Sequence, residues 1–179
     1  MGFYYLKKME MKDDIILVDK NDNEIGTGKK MEVHKSGKLH RAFSILVFNP
    51  KGELMLQKRS RGKYHCGGLW TNTCCSHPRP GEKLGQATHR RLVEEMGFDC
   101  GLQEVFSFVY KARFSNELTE HEFDHVFVGE YEDEPKLNPE EAEDWRWGKM
   151  DEVAKDIENN PEKYTFWFRE ILKKYQENN

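Results

Sequence analysis

Long apolar runs are missing from this 179-residue sequence. The longest, residues 43–48 (FSILVF), falls far short of the ~18 residues a membrane span needs, so no membrane partner is expected. Paired CxxC elements are missing too. The four cysteines are Cys66, Cys74, Cys75 and Cys100, and the adjacent Cys74 and Cys75 are badly placed to bridge each other. A four-cysteine zinc site and a disulfide framework are both disfavoured. Residues 1–14 (MGFYYLKKMEMKDD) have neither an apolar stretch nor a small-residue cleavage site, so a cytoplasmic location is expected. An excess of one charge is also lacking. The net charge of −4 does not suit a nucleic-acid binder. What is present is a 12% aromatic content, which a disordered chain would not carry. The length predicts one domain over residues 1–179, able to bury about 70% of its unfolded surface. Nothing in the sequence fixes an oligomeric state, and a monomer is the simplest expectation.

The small net charge hides a partition. Residues 26–91 hold 14 Lys and Arg against three acidic residues, Glu32, Glu53 and Glu82. Residues 130–179 hold 8 basic residues against 15 acidic ones. A basic block inside an acidic chain points to an anionic ligand bound at one place.

Patterning predicts strands over residues 14–19, 43–49, 53–58, 105–114, 122–131 and 145–148, with a short-loop hairpin at 50–52. Residues 66–80 read as irregular because of Gly67-Gly68 and two prolines. A helix is expected over residues 83–96, where Leu84, Thr88, Leu92 and Met96 recur every fourth position before Gly97. Further helices are expected over 151–159 and 162–176, the last behind Pro161. Strands and helices mix without regular βαβ alternation. The fold class is therefore α+β, a mixed sheet flanked by helices.

Two constellations carry chemistry. Glu82, Arg90 and the run Glu94-Glu95-Met96-Gly97-Phe98 stand at the spacing of a Nudix box, G-x5-E-x7-R-E-U-x-E-E-x-G-U with U bulky and aliphatic. Two positions depart: Ser76 stands for the first Gly, and Arg91 for the Glu that follows the first Arg. Upstream, residues 70–78 (WTNTCCSHP) resemble the W-T-N-x-x-C-x-H-P segment of type 1 isopentenyl-diphosphate isomerases, which have the Nudix fold. His34 with His40-Arg41-Ala42-Phe43, Tyr110, and Glu120-His121-Glu122 match further motifs of that family in order. The resemblance spans about residues 30–167. Tyr64-His65-Cys66-Gly67-Gly68 departs from the aromatic-Pro-Gly that many members carry before the Trp, and His65 and Cys66 read as loop filler.

Residue chemistry adds to this. His34, His40 and His77 with Glu120 and Glu122 form a donor set suited to Zn²⁺, Mn²⁺ or Mg²⁺. Glu120 and Glu122, two apart, project from one face of a strand. The segment between His34 and His40 reads as a polar loop that gives those imidazoles no core to fill. The resemblance implies a 1,3 proton shift between isopentenyl and dimethylallyl diphosphate. It casts Cys75 and Glu122 as the acid–base pair, with Tyr110 assisting the glutamate. Cys75 is then expected to act as a thiolate favoured by an electropositive site or as a well-placed thiol. Cys66, Cys74 and Cys100 are expected to be small buried apolar groups. Trp70 is expected to stabilise a tertiary carbocation through its ring face, with Trp167 as an aromatic lid. Lys30, Arg59, Lys63 and Arg91 would grip the diphosphate, and Glu95 would hold a Mg²⁺ bridging it. A Nudix hydrolase of a nucleoside-diphosphate derivative is the principal alternative, and a diphosphate-binding module without turnover is a third.

Overall fold

A computed structural model describes residues 13–178; apart from Asp13 and Asp14, the N-terminal stretch read above for an export signal lies outside the described residues. The strands are β1 (Asp14–Val18), β2 (Glu24–Lys29), β3 (His40–Phe48), β4 (Glu53–Arg59), β5 (Trp70–Thr71), β6 (Cys74–Ser76), β7 (Leu102–Arg113), β8 (Thr119–Glu130) and β9 (Ala142–Lys149). The helices are α1 (Lys30–Ser36), α2 (Leu84–Met96), α3 (Met150–Asn159) and α4 (Phe166–Glu177). The nine strands form one mixed sheet. β3 runs parallel to β8, and the other pairings, β1 with β2 and β3, β3 with β4 and β6, β4 with β5 and β9, and β7 with β8, are antiparallel.

Side-chain alternation along the central strands splits the core in two. Ile45, Val47 and Met55 pack on one face with Ala87, Leu92 and Met96 of α2. Leu46, Leu54 and Leu56 pack on the other with Val153 of α3 and Phe168 and Ile171 of α4. Helices therefore cover both faces of the sheet, the α+β class expected. Gly97 stops α2 at φ 74, and a Cβ there would lie 2.4 Å from the Lys136 carbonyl, so no other residue fits without a shift. Among the described residues no helix is long and apolar enough to cross a membrane.

The hairpin read at residues 43–58 forms and then opens. β3 and β4 pair only at Phe48↔Leu54; beyond it β3 turns to β6 and β8, and β4 to β5 and β9. Residues 70–76, read as irregular, fill the wedge with two short strands. Their polar side chains satisfy the backbone groups that the splay leaves free. Asn72 Nδ2 donates to the carbonyls of Ile45 and Cys74, Thr73 Oγ1 accepts from Val47 N–H and donates to Met55 O, and Gln57 Nε2 donates to Thr73 O.

Other boundaries move for local reasons. β2 and α1 have no counterpart in the sequence reading, and β7, β8 and β9 each begin about three residues early. Pro161 opens a 3-10 turn, and α4 starts only at Phe166, because Thr165 is pinned to β5: its N–H donates to Trp70 O and its Oγ1 to Thr71 Oγ1.

Candidate active site

Register brings the predicted residues together. Across three adjacent strands Tyr110 of β7 and His40 of β3 both stand opposite Glu122 of β8. Glu120, two residues earlier on β8, shares that face. His77 follows β6, and α1 delivers His34. The polar loop expected between His34 and His40 is thus half wrong: α1 ends at Gly37 (φ 63), and both imidazoles are fully buried.

His34, His40, His77, Glu120 and Glu122 each offer one ligand atom within 4.8 Å of all the others. His34 Nε2 lies 3.0 Å from Glu120 Oε2, and His77 Nε2 lies 2.9 Å from Glu122 Oε1. Yet His34 Nε2, His40 Nε2 and Glu120 Oε2 are buried without a hydrogen-bond partner. Nδ1–H of His34 donates to Lys30 O at 2.6 Å and that of His40 to Lys38 O at 2.9 Å, which turns each Nε2 inward. Imidazoles anchored in this way through the other ring nitrogen are the usual dress of metal ligands. Burial pushes His77 down to about 3 against the pull of Glu122, so it is a neutral imidazole. Burial opposes ionisation of Glu120, but His34 and His65 outweigh it and hold the carboxyl well below 4.5. Burial and the Glu120 charge oppose ionisation of Glu122, and His40 and His77 outweigh them. Two carboxylates and three imidazoles with orphaned inward atoms fit a divalent cation.

Beside this cluster lies a small cavity lined by Cys75, Tyr110, Glu120, Glu122, Lys30, Arg59, Lys63, Arg91, Glu95 and Trp167, joined by Tyr64, His65, Ser76, His77 and Glu141. Tyr110 donates to Glu122 Oε2 at 2.6 Å, and burial with the Glu122 charge keeps it a phenol. Cys75 pairs with Ser44 of β3 and packs on the α4 side, whereas its neighbour Cys74 is sealed in the α2 core. Burial lifts the Cys75 thiol well above its usual value despite Arg59, which favours the thiol over the thiolate, the two forms expected. Cys66 and Cys100, expected to be buried, are only partly so.

The cations stand on the remaining walls. Arg91 donates to Glu94 and Glu95, each at 2.6 Å, and lies 3.1 Å from Glu141; Lys63 pairs with Glu141. Arg59 lies over the Trp167 ring at 5.2 Å. Burial lowers the Lys30 pKa, opposed by Glu120. Glu95 stays outside the five-residue cluster, its oxygens held by Arg91 and Gln57. The two tryptophans stand differently from expectation. Trp70 is not among the lining residues, and its ring carries Arg146 at 5.1 Å. Trp167 is a buried wall, its Nε1–H donating to Thr71 Oγ1, and not a lid.

The cavity residue that the sequence reads as loop filler is His65, whose Nε2 lies 2.5 Å from Glu120 Oε1. Its only sequence signal is the local departure from the aromatic-Pro-Gly segment.

Residues 38–168 match the NUDIX domain family. The chain is 54% identical to isopentenyl-diphosphate Delta-isomerase 2 of Aromatoleum aromaticum over 90% of its length and 86% of the relative's. It is 52% identical to the isopentenyl-diphosphate Delta-isomerase 2 of Photorhabdus laumondii over 90% and 92%. The chain belongs to the isopentenyl-diphosphate Delta-isomerase family. Solved Nudix-type structures agree on the fold. A Deinococcus radiodurans protein superposes with a TM-score of 0.76 over 90% of this chain and 98% of its own, at 17% identity. The MutT protein of Methanosarcina mazei gives 0.64 over 78% and 94%, at 20% identity. At the two departures from the Nudix box, Ser76 ends β6 beside Cys75, and Arg91 lines the cavity.

Proposed function

We infer that this chain interconverts isopentenyl and dimethylallyl diphosphate, an isomerisation within isoprenoid synthesis. The observation that carries the inference is one cavity lined by a partly buried thiol, Cys75, and a buried phenol–carboxylate pair, Tyr110–Glu122. Moving a double bond by one carbon requires a proton delivered to the terminal alkene carbon and another removed from C2. Cys75 and Glu122 form that acid–base pair. Tyr110 assists the glutamate, its hydroxyl donating to Glu122 Oε2 at 2.6 Å and so fixing the carboxylate within the cavity. The intermediate is a tertiary carbocation, and Trp167, buried at the cavity wall, offers it a ring face in a dry setting. Trp70, outside the lining, supports the site from behind by its backbone bond to Thr165.

Lys30, Arg59, Lys63 and Arg91 grip the diphosphate, the arginines as forks and the lysines as point charges. His34, His40, His77, Glu120 and Glu122 would hold one divalent cation, Mn²⁺, Zn²⁺ or Mg²⁺, and Glu95 a Mg²⁺ on the diphosphate. A cation at the His/Glu cluster supplies a fixed positive charge that stabilises the ionised carboxylates there. All five residues of the cluster belong to this chain, and action as a monomer in the cytoplasm is part of the same reading. A Nudix hydrolase would leave Cys75 and the Tyr110–Glu122 pair without a task.

The test is product analysis by NMR after incubation with isopentenyl diphosphate and Mg²⁺. Dimethylallyl diphosphate is the expected product. Inorganic phosphate without the isomer would make the chain a hydrolase, and unchanged substrate would make it a binder.

A further inference from the structure

The carboxylate of Glu120 has two oxygens in different settings. Oε2 lies 3.0 Å from His34 Nε2 and 3.9 Å from His40 Nε2, without a hydrogen bond, inside the donor set. Oε1 is met from the other side by His65 Nε2 at 2.5 Å. Against an ionised carboxylate that nitrogen must carry a proton, so His65 donates. The loop that carries His65 is built to hold it there. Cys66 takes a left-handed conformation (φ 52), which turns the chain directly after His65. The His65 ring stacks on Phe114 at 5.2 Å and meets Trp167 edge-on at 5.6 Å. Its carbonyl accepts from Arg59 at 3.4 Å, and the residue is only 8% exposed. A loop filler would need none of these contacts.

We propose that His65 is a positioning residue for the His/Glu metal centre, holding Glu120 Oε1 out of the donor set so that Oε2 alone faces the cation. The proposal rests on the reading of that cluster as a metal centre. A carboxylate can bind a cation through one oxygen or two, and it swings between these modes unless its second oxygen is engaged. Groups behind a ligand fix its orientation, and their loss typically weakens metal binding by about 10- to 100-fold. His65 does for Glu120 what the Lys30 and Lys38 carbonyls do for His34 and His40.

The test uses Co²⁺ alone as the probe, with affinity from chelator competition and geometry from the visible absorption band. In His65→Phe the ring stack on Phe114 is kept and the donor is lost; Co²⁺ binding is expected to weaken about 10- to 100-fold with an altered band. In His65→Gln the amide nitrogen sits as many bonds from Cα as Nε2, so affinity and band are expected to return towards wild type. In His65→Asn the amide is one bond short, and the loss should match that of the Phe variant. If His65→Phe fails to fold, the Gln and Asn variants carry the comparison. Wild-type affinity and an unchanged band in His65→Phe or His65→Asn would overturn the proposal, as would equal losses in the Gln and Asn variants. A wild-type protein that binds no Co²⁺, or a His40→Ala variant that binds it equally well, would show instead that the metal-centre reading itself had failed.

Discussion

On the imidazole side of the cavity, His34 Nε2, His40 Nε2 and Glu120 Oε2 converge without hydrogen-bond partners. On the guanidinium side, Arg91 is shared among Glu94, Glu95 and Glu141, Lys63 is paired with Glu141, and Arg90 binds Glu82 and Glu94. Both regions combine bases with carboxylates and both keep unpartnered buried atoms, but on the second these are the donors Arg59 Nε and Arg91 Nε. Buried polar atoms without partners are costly, so a folded chain keeps them only where another group completes them. The first region therefore reads as a centre for a cation, and the second as a set of cations held ready for an anion. Cys75 and Tyr110 lie in the cavity that both regions line, where the substrate's hydrocarbon part must sit.

Variants that separate the two regions sharpen this contrast. The largest effect is expected from Cys75→Ala, which should lower kcat by about 10³-fold while metal binding on the imidazole side stays intact. Cys74→Ala, one residue away but sealed against α2, should keep most turnover and lose about 1 kcal/mol of stability in urea unfolding. A loss of activity as deep as that of Cys75→Ala would reverse the assignment. Tyr110→Phe should lower kcat by about 10²-fold with KM unchanged, since it removes the hydrogen bond donated to Glu122 and leaves the phosphate cations alone. Arg91→Lys keeps the charge and removes the fork. It should raise KM by about tenfold with little change in metal content, and a loss of metal instead would show that the two regions are one.

The smallest effect belongs to the rim of the guanidinium side. Burial raises the pKa of Glu82, but Arg90 and the Arg79 backbone N–H outweigh it and hold the carboxyl below 4.5. A carboxyl lowered on folding adds stability above its unfolded pKa, and that stability is lost as the pH falls through the folded one. Glu82→Gln should therefore cost about 1 kcal/mol at neutral pH, with the difference from wild type vanishing in acid when urea unfolding is repeated there.

Much of the site was legible because its residues sit in contiguous motifs. His77 and Cys75 share one segment with Trp70, and Glu120 with Glu122 share one strand face. The helix over residues 83–96 was readable from its four-residue apolar spacing, which lies against one face of the sheet. The wedge between β3 and β4 was not readable. Thr71, Asn72 and Thr73 are fully buried polar residues; Asn72 and Thr73 have partners 16 to 27 positions away and Thr71 has partners 94 and 96 away, and a local pattern scores such residues as loop. The same holds for His34 and His40, whose burial is set by α1 folding over β8, a tertiary contact with no local trace. His65 was passed over because its partner, Glu120, is 55 residues distant. Trp70 was placed by motif alone, and strand pairing at Lys58↔Trp70 sends its side chain to Arg146 instead.

The central claim is that groups of this chain add a proton to the terminal alkene carbon and remove another from C2. The direct test is to incubate the protein with isopentenyl diphosphate and Mg²⁺ in D₂O and locate deuterium in the product by NMR. Dimethylallyl diphosphate carrying deuterium in a methyl group is the predicted result. Dimethylallyl diphosphate free of deuterium, or phosphate released from substrate whose double bond has not moved, would contradict it.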